Sequence, residues 1–242
     1  MSITLHALAV DAKDPARLAR FWSDLLGWEL ADGNELLPDE KTPFGMRFLP
    51  SPVEEKPPSH IHFHLTSETP EQQQETVARA LELGGRHIDI GQSPEATYIV
   101  LADPEGNEFC VIEAGNNFLA NTAFFGEVAT DGTREVGYFW SKALDWPLVW
   151  DQDEETAIQA PSGGPKIAWG GPPVSPKPPK NPMHLDLTVP AGGDVDAEVE
   201  RLVALGATRL ESGQEGAAAI PMADPDGNEF CILTAPREPA SS

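Results

Sequence analysis

Hydrophobic positions along the chain follow two periods, and each change of period predicts where a strand gives way to a helix. The first helical stretch carries apolar residues at the three- and four-residue spacing of one helix face, at Leu18, Phe21, Trp22, Leu25 and Leu26. Asp14 and Pro15 come just before it, which predicts an N-cap followed by proline in the first helical position. The opening residues up to Val10 instead read as a strand.

Three more helices are predicted from the same spacing. One begins at Thr69-Pro70 and stops at Gly84, and another is marked by Val136, Phe139, Trp140, Ala143 and Leu144. The last carries Val195, Val199, Leu202 and Val203 and stops at Gly206. Residues 98–101 and 108–112 are short β-rich runs joined by Asp-Pro-Glu-Gly-Asn, a turn sequence that predicts a hairpin.

The chain also repeats itself. Residues 102–112, ADPEGNEFCVI, match residues 223–233, ADPDGNEFCIL, at eight of eleven positions. Phe21-Trp22-Ser23 recurs at Phe139-Trp140-Ser141 with an offset of 118 residues, and His62 recurs as His184 with an offset of 122. A tandem duplication is therefore predicted.

Proline-rich stretches at 49–58 and 170–182 divide each half again, so the chain reads as four modules of strand, helix and two or three further strands. We predict an α+β fold with one domain at 1–115, a second at 121–236 and a flexible tail at 237–242. Each domain is expected to be a cupped mixed sheet made of its own two modules, with helices on the outer face.

The amino-acid composition restricts the classes of partner that the protein is expected to bind. The 242 residues carry 16 Lys and Arg against 39 Asp and Glu, a net charge of -23, which disfavours nucleic acids and anionic membranes. No apolar run is long enough to span a bilayer, and the first ten residues lack the pattern of a signal peptide, so a cytoplasmic location is expected. Cys110 and Cys231 occupy matching places in the two repeats and are expected to be free thiols.

These features together resemble the βαβββ module of the vicinal-oxygen-chelate superfamily, which includes glyoxalase I, extradiol dioxygenases and bleomycin-sequestering proteins. The likeness rests on Asp11 and Asp14-Pro15 after the first strand, the helix from Phe21 to Trp28, and the run from His184 to Leu187. It also rests on the doubled Asp-Pro-x-Gly-Asn-Glu-Phe-Cys sequence. The resemblance covers nearly the whole chain and implies a small-molecule ligand held in a concave sheet.

The resemblance further implies metal ligands on the first and last strands of the modules. Carried over by position, these places are held by His6 and His62 in the first half, Phe124 and His184 in the second, Cys110 and Cys231 on the last strands, and Arg47 and Ala168 at a second last-strand place. A divalent metal in the first half, whether zinc, nickel, manganese or iron, would be bound by His6, His62 and Cys110, a set that favours zinc. Because a cysteine replaces the usual carboxylate, and a cysteine on an apolar strand is commonly a buried hydrophobe, we expect a largely metal-free protein.

Other polar residues have two interpretations each. Asp186 lies two residues from His184 on the same strand face and either orients it or only stabilises the strand. His60, His62 and His64 share one face at about 7 Å spacing, too far apart for neighbours to share an ion. Either they line the cup and supply one or two general bases, or the outer two, His60 and His64, meet solvent at the strand end; His62 is the expected base. Arg47 suits a carboxylate or enolate oxygen if it faces the cup, and otherwise a surface salt bridge.

Three functions remain open. The first is a protein that binds or transforms an unidentified small molecule, with the better-equipped cup in the first half. The second is a metal-dependent lyase or dioxygenase that uses His6 and His62. The third is a non-catalytic, drug-sequestering protein like the bleomycin-resistance relatives, whose acidic surface attracts a cationic ligand. Those relatives usually form their groove between two chains, whereas four modules in one chain would pair internally, so both monomer and homodimer are expected states.

Overall fold

Four βαβββ modules follow one another along the chain, as the sequence predicts. In the computed structural model, which describes residues 3–51, 59–178, 180–211 and 218–234, the described part contains sixteen strands and four helices. The first module comprises β1 (Thr4–Ala12), α1 (Pro15–Leu26), β2 (Glu29–Ala31), β3 (Glu35–Leu37) and β4 (Gly45–Pro50). The second comprises β5 (Ile61–Leu65), α2 (Pro70–Glu82), β6 (Arg86–His87), β7 (Ile99–Ala102) and β8 (Glu108–Val111).

The second half repeats this order. The third module comprises β9 (Phe125–Thr130), α3 (Arg134–Leu144), β10 (Leu148–Gln152), β11 (Glu155–Gln159) and β12 (Lys166–Trp169). The fourth comprises β13 (Met183–Thr188), α4 (Val195–Leu205), β14 (Thr208–Arg209), β15 (Ala219–Ala223) and β16 (Glu229–Leu233). The predicted tail, 237–242, lies outside the described residues, and none of the described helices has the length and apolarity needed to cross a membrane.

The helices begin where the sequence predicts. The Asp14 side chain accepts a hydrogen bond from the Arg17 N–H with Pro15 in the first turn, and the Thr69 side chain does the same for the Gln72 N–H. Each cap satisfies a backbone donor that the helix itself leaves unpaired. Gly27 ends α1 with φ of 73°, in the left-handed region that glycine adopts without strain.

The strands form two mixed eight-stranded sheets, and each sheet takes one module from each half. Sheet I has the order β14-β15-β16-β13-β1-β4-β3-β2, which combines the first and fourth modules. Sheet II has the order β10-β11-β12-β9-β5-β8-β7-β6, which combines the second and third. The α+β class and the two sheets built from paired modules are confirmed. The expectation that each half closes its own sheet is not met, because β1 pairs antiparallel with β13 and β5 with β9.

The two modules of each half meet through their apolar faces instead. The Trp22 ring on α1 packs edge-on against Phe63 and Phe109 of the second module, with ring centroids 5.2 and 5.1 Å apart. Trp140 on α3 packs against Phe230 of the fourth module at 5.1 Å. One buried apolar cluster includes residues of both sheets and all four helices. Duplicated sequence therefore identifies which modules are alike, but strand-edge pairing decides which modules share a sheet.

The repeated Asp-Pro-x-Gly-Asn turn joins the modules within each half. The Asp103 carboxylate accepts hydrogen bonds from the Glu105 and Asn107 N–H groups, the Asn107 side chain and, at 3.2 Å, the indole Nε1 of Trp22. Asp224 makes the same four bonds in the second half, including one of 3.1 Å from Trp140 Nε1. Both carboxylates are buried. The most repetitive motif in the chain is thus structural.

Candidate functional sites

A cavity of about 420 Å³ lies against sheet II, on the face opposite the helices. Phe63 and Leu65 of β5 point into the apolar core, so the alternating residues His62 and His64 point into this cavity. Its wall draws on both halves of the chain, because Glu127, Trp150 and Trp169 come from the third module. Ala129 and Ala168 pair with each other at the base of this cavity, and their small side chains leave the space above the strands unfilled.

Two histidines converge at this wall. The His62 and His64 Nε2 atoms are 3.1 Å apart, and His64 Nδ1 donates to the Glu127 carboxylate at 2.5 Å. The sequence-based expectation that neighbouring histidines on β5 lie too far apart to share an ion is wrong for His62 and His64. Backbone spacing alone suggested about 7 Å, but the long side chains tilt toward each other, with ring centroids 4.9 Å apart. His60, by contrast, is buried and pairs with the Pro176 carbonyl at 3.1 Å.

The charge states of this group differ from those of free side chains. Burial and the neighbouring His64 together lower the pKa of His62 to about 4, although Asp131 opposes the shift. His62 is therefore neutral at pH 7. Burial and the negative charges of Glu108 and Glu127 raise the pKa of the Cys110 thiol to about 12. Cys110 packs with Val100, Ile112 and Leu119 in a small apolar cluster, which agrees with its interpretation as a buried hydrophobe.

His62, His64 and Cys110 nevertheless form a possible donor set. One ligand atom from each of the three lies within 4.8 Å of the others. Nitrogen ligands about 2.0–2.1 Å from a tetrahedral zinc ion are roughly 3.3 Å apart, close to the separation of the two Nε2 atoms. Glu127 holds Nδ1 of His64, which is how a carboxylate commonly orients a metal-binding histidine. The residues present therefore fit a zinc-type ion.

His6 does not belong to this group. It lies on β1 of sheet I, where its Nε2 is 3.3 Å from a Glu35 carboxylate oxygen, whereas His62 lies on β5 of sheet II. The predicted site of His6, His62 and Cys110 is therefore not brought together. The pairing of modules across the halves separates the two first strands, while the adjacent His64 takes the place expected for His6.

The remaining predicted site residues meet on sheet I. Arg47 on β4, His184 and Asp186 on β13, and Cys231 on β16 form what we call the sheet I cluster. An Arg47 guanidinium N–H pairs with one carboxylate oxygen of Asp186, and His184 Nε2 is 3.3 Å from the other. Ligand atoms of His184, Asp186 and Cys231 lie within 4.8 Å of one another. Arg47 thus forms a salt bridge, with Asp186, which contacts both His184 and Arg47.

His184 is the cationic counterpart of His62. Burial opposes its charge, but hydrogen bonds and electrostatic interactions with Asp186 and Cys231 outweigh burial and raise the pKa of His184 to about 10. With a protonated imidazole and a guanidinium in contact with the single carboxylate, this donor set does not fit a divalent cation. At pH 7, His62 on sheet II is therefore neutral, whereas His184 on sheet I is protonated.

The strand register shows which residues of the two sheets occupy equivalent positions. It also identifies one site residue, Glu127, that comparison of the sequence repeats did not find. Ala9 pairs with His184 as Ala129 pairs with His62, and Ala7 pairs with Asp186 as Glu127 pairs with His64. The first strands of the two halves are thus offset by 120 residues, not the 118 taken from the helices. The offset of 118 placed Phe124 at the ligand position, whereas the strand register aligns Glu127 with the uncharged Ala7, so comparing the repeats does not single it out. A carboxylate within the otherwise uncharged strand FGEVAT was the available signal.

Comparisons with known proteins agree with this architecture. The model of the Glyoxalase-like domain family matches twice, at residues 7–112 and 127–233, and its two starting points reproduce the offset of 120. By sequence, no curated protein matches the chain.

Solved structures share the fold at low sequence identity. Glyoxalase I from Zea mays superposes with a TM-score of 0.66 at 13% identity, covering 96% of this chain and 92% of that one. A candidate dioxygenase from Bacillus subtilis superposes with a TM-score of 0.59 at 12% identity, covering 98% and 86%. With both halves matched over most of their length, the chain belongs to the glyoxalase-like domain family of the vicinal-oxygen-chelate superfamily, as a tandem pair.

Proposed function

We propose that the chain binds a small molecule in the sheet II cavity and acts on it as a metal-dependent lyase or dioxygenase. The observation that carries this proposal is the 3.1 Å approach of the His62 and His64 Nε2 atoms at the cavity wall, with Glu127 on the far nitrogen of His64. This site replaces the pair of His6 and His62 that the sequence suggested.

Each residue has a distinct role in the proposal. His62 is neutral at pH 7, so it offers a lone pair without first losing a proton. Glu127 fixes the ring orientation of His64 and leaves its Nε2 toward His62. Cys110 would add a thiolate only after losing a strongly held proton. A divalent ion bound there would polarise an oxygen atom of the ligand or lower the pKa of a bound water molecule.

Metal binding is the direct test. Zinc titrated calorimetrically into tag-free, chelator-treated full-length protein is expected to bind at one ion per chain. His62→Ala and His64→Ala should abolish this binding, and Glu127→Gln should weaken it by about 10–100-fold. His6→Ala is the matched control and should leave the affinity unchanged. Absence of stoichiometric binding, or its loss in His6→Ala, would refute the proposed metal site.

The cavity lining favours a second candidate, the sequestration of a cationic aromatic molecule without catalysis. Carboxylates and aromatic rings dominate the wall, at Glu113, Glu127, Asp131, Glu155, Tyr98, Phe118, Trp150 and Trp169. Among the described residues that line the cavity there is no lysine or arginine. Aromatic faces and carboxylates both attract organic cations, and aromatic faces attract them most strongly where water is excluded.

Ligand charge separates this candidate from non-specific binding. Ethidium, a planar cation, should quench tryptophan fluorescence saturably, whereas anionic anilinonaphthalene sulfonate should not compete with it. Glu155→Gln should weaken ethidium binding by about twofold to tenfold at low salt, corresponding to about 0.5–1.4 kcal/mol. Glu29→Gln removes the same charge from an exposed site outside the cavity and serves as the control. If both variants weaken ethidium binding equally, the attraction comes from the net charge of the whole protein and not from the cavity.

A further inference from the structure

The sheet I cluster holds the second cysteine in surroundings unlike those of the first. Cys231 is partly exposed, and its sulfur lies within 4.8 Å of ligand atoms of His184 and Asp186, whereas Cys110 is only 3% exposed. Asp186, which is 1% exposed, contacts His184 on one side and Arg47 on the other. Thiol, imidazole and carboxylate thus follow one another across β16 and β13, and Asp186 lies opposite Cys231 in the strand register.

We propose that Cys231 is a nucleophilic thiol and that the sheet I cluster binds small electrophiles carrying a carboxylate. Nothing in this proposal depends on a metal ion or on the sheet II cavity, so either site could fail its test without affecting the other.

Positive charge beside Cys231 supports its role as nucleophile. Thiolates, which are the reactive form of cysteine, are favoured by neighbouring imidazolium and guanidinium groups. His184 is such an imidazolium at neutral pH, and Asp186 holds its ring in place. In the reaction, the thiol proton leaves to solvent, the sulfur attacks the electrophilic carbon, and the leaving group departs from that carbon with its bonding electrons.

Arg47 supports the choice of an anionic electrophile. Asp186 accepts from one terminal nitrogen of the guanidinium, and the planar group carries further N–H donors in the geometry that matches a carboxylate. Within the cluster, Arg47 and the protonated His184 face the one carboxylate of Asp186, while Glu35 lies beside Arg47 on β3. The protein as a whole carries a net charge of -23. A preference for anions at Cys231 would therefore be a property of this cluster and not of the surface as a whole.

Several other titratable groups surround His184, and they determine how its charge responds to pH. Its direct partners are Asp186 and Cys231, with Arg47 behind Asp186. Two further ion pairs lie on the neighbouring strand β1, His6 with Glu35 and Asp11 with Lys180. Arg47 is the fixed positive charge of the cluster, and Glu35 lies opposite it in the register of β3 and β4.

Alkylation measures the reactivity of Cys231 directly. Rates for iodoacetate and iodoacetamide at pH 7 are determined for each cysteine peptide by mass spectrometry, with N-acetylcysteine as the reference thiol. We expect Cys231 to react with iodoacetate at least about tenfold faster than N-acetylcysteine does, and Cys110 to stay nearly unreactive. The ratio of the iodoacetate rate to the iodoacetamide rate should fall toward the reference ratio in high salt, a test that needs no variant.

Substitutions of Arg47 and His184 test which residue causes the reactivity of Cys231 and its preference for the anionic reagent. Arg47→Gln should lower the iodoacetate to iodoacetamide ratio by about threefold or more, while Arg20→Gln, which removes an exposed arginine on α1, should leave it unchanged. His184→Gln should slow both reagents. A Cys231 rate equal to that of N-acetylcysteine, or a ratio that neither salt nor Arg47→Gln alters, would overturn the proposal.

Discussion

Replacing Asp103 with Ala is expected to lower the free energy of unfolding by about 3–5 kcal/mol, a large part of the stability of an ordinary domain. The substitution removes a carboxylate that accepts four hydrogen bonds and leaves the buried Trp22 indole N–H without this acceptor. Because Trp22 belongs to the first module and Asp103 to the second, the loss also loosens the contact between them.

The duplicated turn supplies an internal comparison. Asp224→Ala should cost about as much as Asp103→Ala, since Asp224 makes the same set of bonds to Trp140 and Asn228. Glu105→Ala is the control from the same turn. Its carboxylate accepts from the exposed N–H groups of Lys13 and Asp14, so we expect a loss of about 1 kcal/mol or less. Urea unfolding measures all three, and a loss below about 1 kcal/mol for both Asp variants would contradict the structural role of the motif.

Alkaline pH is expected to destabilise the protein through His184. Its pKa is about 10 in the folded chain and about 6.5 when unfolded, so the folded state holds the proton more tightly. The resulting stabilisation is complete below pH 6.5 and disappears as pH rises through 10. From the shift, we expect a loss of roughly 2–4 kcal/mol over that range.

The matched variant for this effect is His184→Gln, which cannot titrate. Its free energy of unfolding should be lower than that of the wild type at pH 6.5 and should approach the wild-type value near pH 10. His87→Gln removes an exposed histidine from β6 of sheet II and should preserve the wild-type pH dependence. Parallel curves for wild type and His184→Gln between pH 6.5 and 10 would contradict the raised pKa.

Local sequence patterns predicted the modules well because the signals are local. Asp14 and Thr69 cap helices as expected. The duplicated turn sequence forms a hairpin in which the carboxylate of the turn's own aspartate accepts backbone hydrogen bonds. Strand pairing could not be read in the same way. Both β1 and β5 carry an apolar core face and an open edge, and nothing within either strand specifies whether its antiparallel partner lies in the same half.

The candidate site was predicted in part for the same reason. The sequence singles out His62 and His64 on β5 and Cys110 on β8, and the structure brings the three together. His6 was grouped with them only through the assumption that one half forms one cup. Glu127 was missed because its equivalent in the first half is the uncharged Ala7, so comparison of the repeats does not single it out.

The crossing of modules between halves also bears on how the chain assembles during synthesis. All strands of sheet II lie within residues 61–169, so this sheet can close while the last module is still being made. Sheet I cannot, because Thr4 on its first strand pairs with Thr188, 184 residues later. Until the final module emerges from the ribosome, the β1 edge that later pairs with β13 stays without its partner and is open to pairing with a second nascent chain.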